Sequence, residues 1–114
     1  MKIEKFEDII SWQKSKEQTL AIYKLFKDNK DFSFNNQIQR ATLSISNNIA
    51  EGFERSSNKE FKYFLYIAKG SCAEVRSMLY IALELNYITQ KDFDNINFSA
   101  NEISRLISGL IKTL

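Results

Sequence analysis

Apolar side chains recur every three or four residues along four long segments, and polar runs separate them. That period predicts helices with one buried face. The first segment covers residues 7–28. Ile9, Trp12, Leu20, Tyr23 and Phe26 recur near helical spacing, and Ile22 and Leu25 widen the face. A polar stretch from Asn29 leads to the second, residues 34–53, with Ser33 as the expected N-cap. Its stripe is Ile38, Ala41, Thr42, Ile45 and Ile49. The third covers residues 58–85, where Ser57 and Glu60 have the spacing of a capping box. Phe61, Phe64, Leu65, Ala68, Cys72, Val75, Leu79 and Ala82 keep one face apolar. Asn86 suits a left-handed C-cap, with Tyr87 and Ile88 folding back. The fourth covers residues 90–112, capped by Thr89 with Asp92 near its start. Three short connections predict an all-α, up-down-up-down antiparallel four-helix bundle, a single domain over residues 1–114.

Composition sharpens that picture. Proline is absent and glycine occurs only at 52, 70 and 109, which suits long helices rather than hairpins. Gly70, inside the third helix, is expected to mark a close helix approach, since glycine there costs near 1 kcal/mol in propensity. With no histidine, the usual general base and the His-containing zinc sites are missing. A lone cysteine, Cys72, makes neither an internal disulfide nor a thiolate metal site. The expectation is a non-enzymatic protein without metal or cofactor. No apolar run approaches the roughly 20 residues of a membrane span. Acids among the first apolar residues argue against a signal peptide, so a soluble, cytoplasmic protein is expected. Charge is nearly balanced, with 16 basic and 14 acidic side chains and a net charge of +2.

Two polar patterns interrupt the amphipathic rule. On helix 2, Gln37, Arg40, Ser44, Asn48, Glu51 and Arg55 fall in one arc of about 80° beside the apolar stripe. On helix 3, Ser71 and Glu74 sit inside the apolar arc. A buried carboxylate needs a partner, because desolvating it unpaired costs several kcal/mol. Arg40 and Arg55 are the natural candidates. The expectation is a structural network of Arg40, Ser44, Asn48, Glu51 and Arg55 with Ser71 and Glu74, fixing the register of helices 2 and 3. A ligand or nucleic-acid site is the second reading of the same residues. On the far side of helix 3, Lys62, Tyr66, Lys69, Ala73, Arg76 and Tyr80 lie within about 80°. Cations with interleaved aromatics suit phosphate contact and base stacking. A solvated face and a subunit interface are the other two readings.

Several strings carry a family resemblance. Gln37-Ile38-Gln39-Arg40-Ala41, followed by Ser44-Ile45-Ser46-Asn47-Asn48-Ile49-Ala50-Glu51-Gly52, resembles the signature of a bacterial four-helix-bundle family. That family is encoded in intervening sequences of 23S ribosomal RNA genes. Phe6-Glu7-Asp8 with Trp12-Gln13-Lys14 is similar to its opening. Ile67-Ala68-Lys69-Gly70-Ser71 with Glu74 is similar to its third helix. The resemblance implies a ring-shaped homopentamer and a relationship to the nucleic-acid-binding accessory protein of diversity-generating retroelements. It implies no enzymatic activity. Two departures stand out. Ser46 occupies a position where the family usually has proline, so helix 2 is expected to run straighter or unbroken. The retroelement relatives are also more basic than this chain.

Lys59, Lys62, Lys69 and Arg76 are the expected phosphate contacts. The leading expectation is an oligomeric bundle that binds RNA or DNA through basic patches on the assembled ring. The alternative is a protein-interaction scaffold.

Overall fold

A computed structural model describes residues 3–114. Four helices follow a single 3-10 turn at Phe6–Asp8. They are α1 (Ile10–Leu25), α2 (Phe32–Phe53), α3 (Asn58–Glu84) and α4 (Gln90–Lys112). Each helix packs on its neighbours in sequence, and α4 closes on α1; the diagonal pairs, α1 with α3 and α2 with α4, have no Cα atoms within 8 Å of each other. Cross-helix contacts run in opposite numerical order, as antiparallel neighbours require. Ser44 meets Ser71 while Gln37 meets Glu74, and Gln18 meets Ser99 while Lys14 meets Glu102. The result is the expected four-helix bundle, 43 × 22 × 19 Å.

Helix ends follow local side-chain chemistry. The Ser57 hydroxyl accepts the Glu60 amide at 3.2 Å, as a cap should. Thr89 and Asp92 form a full reciprocal capping box. Asn86 adopts φ 61°. The amide of Tyr87 then donates to the Ala82 carbonyl and that of Asn86 to Leu83, the two bonds of a Schellman motif. At α2 the cap is Asp31, not Ser33, and the helix begins two residues earlier than its sequence suggests. Asp31 does double duty, since its carboxylate also accepts the Tyr87 hydroxyl at 2.6 Å. That bond ties the α1–α2 and α3–α4 connections together. Ser46 leaves α2 unbroken over 22 residues.

The first helix departs most from its pattern. It starts at Ile10 because Ile9 takes an extended backbone (ψ 121°). It ends at Leu25, and Phe26 turns inward to full burial against Phe34. Leu20 and Tyr23, expected on the buried face, are exposed. The buried stripe is instead Ser11, Ser15, Gln18, Thr19 and Ile22. Small hydroxyl residues let α1 lie close, and those of Ser15 and Thr19 bond within the helix, while the buried Ser11 hydroxyl has no partner among the described residues. Ser15 donates to the Trp12 carbonyl and Thr19 to that of Ser15. Thr19 also meets the Thr42 hydroxyl at 3.1 Å.

The core is mainly aliphatic, with Phe26, Phe61 and Phe93 buried in it. Ile38, Ile45, Ile49, Leu65, Leu79 and Ile103 are fully buried. Each such side chain contributes about 1.5–3 kcal/mol of transfer free energy. The α2–α3 seam is closely packed at Gly52. A Cβ on Gly52 would stand 2.6 Å from Phe64 Cβ and 3.3 Å from the Phe61 carbonyl. Gly70 behaves oppositely to expectation, because a Cβ there would meet nothing within 4 Å.

Candidate nucleic-acid interface

The polar residues of α2 and α3 do not form one network. They separate into three groups along the seam. Ser71 donates to the Ser44 hydroxyl at 2.8 Å, and Asn48 donates to that same hydroxyl at 2.9 Å and to the Ser44 carbonyl at 2.7 Å. This part is a structural relay, half-buried at the rim of the core. Arg55 pairs with Glu51 along α2 at 3.5 Å, with both side chains about half exposed. The Arg55 guanidinium also lies 4.8 Å over the Phe64 ring. Glu74 is the correction. It is exposed rather than buried, and its partner is the Gln37 amide, not an arginine. Arg40 is exposed and pairs with no acid among the described residues. Glu74 lies at the α2-facing edge of α3, open to solvent, so its charge needs no cation.

The four cations expected to meet phosphate lie along α3. Lys59 and Lys69 are exposed, and Lys62 and Arg76 are half-buried where α3 turns toward α4. Lys62, Lys69 and Arg76 follow one another at seven-residue intervals, so about 10.5 Å separates them along the axis. Tyr80, four residues beyond Arg76, rests on Phe93 of α4 with ring centroids 4.8 Å apart. That contact places the cation row beside the α3–α4 seam. The ion pairs among the described residues are Lys14–Glu102 and Arg55–Glu51. None of the four cations is spent on either. Arg76 Nε is buried without a hydrogen-bond partner, as is Asn97 Oδ1 on α4. Antiparallel register, fixed by Tyr80 and Phe93, puts Arg76 and Asn97 at one level of the seam.

Aromatic rings stand among these cations. Tyr63, Tyr66 and Tyr80 are 64%, 57% and 53% exposed. Tyr63 is absent from the stripe read along the sequence, although its position four residues after Lys59 could have revealed it. Other apolar side chains are uncovered too: Ile81 and Leu85 on the C-terminal end of α3, Leu20 on α1, Phe32 on α2 and Phe98 on α4.

Reactive chemistry is scarce. Cys72 is fully buried, and burial pushes its thiol up to about 12 while Arg76 only partly offsets this. Such a thiol packs as a small hydrophobe. Among the described residues no cluster of three or more His, Cys, Asp and Glu is placed to hold a metal ion. No helix there is long and apolar enough to cross a membrane.

Comparison with known proteins places the chain in context. A family model described as 23S rRNA-intervening sequence protein matches residues 7–109. A crystal structure of a protein with unknown function from the S23 ribosomal protein family of Bacteroides thetaiotaomicron VPI-5482 superposes with a TM-score of 0.85. The two sequences are 31% identical, and the match covers 90% of this chain and 99% of that one. No curated protein matches.

Proposed function

Because the chain belongs to the 23S rRNA-intervening sequence protein family, we propose that it is a non-enzymatic, cytoplasmic, oligomeric bundle that binds RNA or DNA through basic patches on an assembled homopentameric ring. One observation carries the nucleic-acid part. The cations of α3 form a row unspent on ion pairs among the described residues. A net charge of +2 per chain is modest. Repetition of the row around a ring makes local placement matter more than the total. The uncovered Leu20, Phe32, Ile81 and Phe98 support self-association, since apolar groups on several helices gain by burial between copies.

Phosphate binding releases counterions, so affinity should fall steeply with salt. Each phosphate neutralised on duplex DNA adds about 0.9 to the slope of log K against log salt. Changing Lys62 and Lys69 together to Glu should abolish nucleic-acid retention while light scattering shows the oligomer unchanged. Retention that survives this change, or is indifferent to salt, rejects the basic row as the binding face. A protein-interaction scaffold is then the reading to pursue.

A further inference from the structure

We infer that the α3 face takes single-stranded rather than paired nucleic acid, a refinement that rests on the nucleic-acid reading above. Cations alone would serve either form, because both carry phosphates. The tyrosines discriminate. A duplex hides its base faces in its own stack, whereas an unpaired strand offers them to aromatic side chains.

Three features of the face suit that task. First, Lys59, Lys62 and Arg76 each have a tyrosine four residues later, at 63, 66 and 80. Residues four apart are neighbours on a helix surface, so phosphate-binding and base-stacking groups alternate side by side. Second, the rings are held in place but open. Tyr63 meets Phe64 with the ring planes at 85°, and Tyr80 meets Phe93 at 61°. A steeply inclined contact of this kind covers at most one face of each tyrosine. Among the described residues the cations over rings are Lys16 on Trp12 and Arg55 on Phe64, so none of the α3 cations stacks on its tyrosine. Third, the ground between them is low. Beyond its chain neighbours and the adjacent helix backbone, Gly70 has no heavy atom within 4 Å of where a Cβ would stand, and Ala73 and Ser77 follow it on the outer face. A strand can therefore lie against the helix between Tyr66 and Tyr80. Tyr63 and Tyr66 are about 4.5 Å apart along the axis, close to the spacing of successive bases.

The test compares four probes at one salt concentration by fluorescence anisotropy. They are an unstructured 20-nucleotide RNA, the DNA of the same sequence, and the duplex of each with its complement. Both single strands should bind at least about 10-fold tighter than either duplex, the order expected from one or two stacked bases. Replacing Tyr63 and Tyr66 together with Leu should remove most of that preference and leave duplex binding as it was. Replacing both with Phe should keep it, which controls for folding. Equal or tighter duplex binding overturns the inference, as does a Leu double variant with undiminished single-strand affinity. In either case loss of binding in Lys62→Glu/Lys69→Glu leaves the wider nucleic-acid reading standing. If the Leu variant instead breaks the oligomer in light scattering, the tyrosines form a subunit contact and the inference falls. If the wild-type protein holds none of the four probes, both readings fall.

Discussion

Two glycines in similar helical settings have opposite constraints. At Gly52 an added methyl group would press on Phe64 Cβ and the Phe61 backbone, neither of which can swing away. Gly52→Ala should therefore destabilise the protein by about 1–3 kcal/mol, the usual range for overpacking. At Gly70 the added methyl meets nothing in its own chain. There the gain in helix propensity should dominate, and Gly70→Ala should stabilise by up to about 1 kcal/mol. Urea denaturation of both variants under the same conditions checks the contrast in sign. A second residue-scale test concerns the Asp31–Tyr87 clasp. Hydrogen bonds from Tyr87 and the Phe34 amide hold the Asp31 carboxyl below its ordinary 3.8. The same bond, then loss of solvent, then the carboxylate charge hold the Tyr87 phenol above its ordinary 10.0. A carboxyl with a lowered folded value contributes stability that is whole above about pH 4 and is lost as pH falls through that lowered value. A phenol with a raised folded value contributes stability that is whole below about pH 10 and is lost as pH rises through the raised value. Tyr87→Phe should flatten the alkaline loss and much of the acid loss attributable to Asp31, read as Tm against pH relative to wild type.

At the scale of elements, α2, α3 and α4 were legible because each carries a continuous apolar stripe, bounded at the starts of α3 and α4 by recognisable caps; the Asp31 cap of α2 was not recognised. Ile38 through Ile49, Phe61 through Ala82 and Phe93 through Ile111 all face the core. The first helix was misread in part, because its buried face is built from Ser11, Ser15 and Thr19, which a hydrophobicity pattern scores as solvent-facing. The polar layer failed for a related reason. A helical wheel places Glu74 in an angular sector but does not say how deeply a neighbour covers that sector. The Ser44–Ser71–Asn48 relay was recoverable, whereas the choice of Gln37 over arginine depended on the register of α2 against α3. The same contrast sets local stability. A seam of hydroxyls gains less from burial than one of isoleucine and leucine. Amides of α1 should therefore exchange with solvent deuterium at lower opening free energy than those of α2 and α3. Native-state exchange that finds α1 the most protected helix contradicts this.

At the scale of the whole molecule, the architecture was readable from segment lengths and short connections, and the packed structure bears it out. The position of the cation row against α4 was not readable, because it depends on which neighbour each edge of α3 meets. The connectivity itself has a further consequence. Three of the four seams join helices adjacent in sequence, across links of six, four and five residues between their ends. Such contacts close cheaply and favour rapid folding. The fourth seam is different in kind, since the Gln18–Ser99 contact spans 81 positions. Each hairpin can thus begin to form as soon as its own residues exist, but the α1–α4 closure must wait for the fourth helix. During synthesis α1 therefore rests against α2 alone, with one flank of the nascent bundle open until α4 arrives.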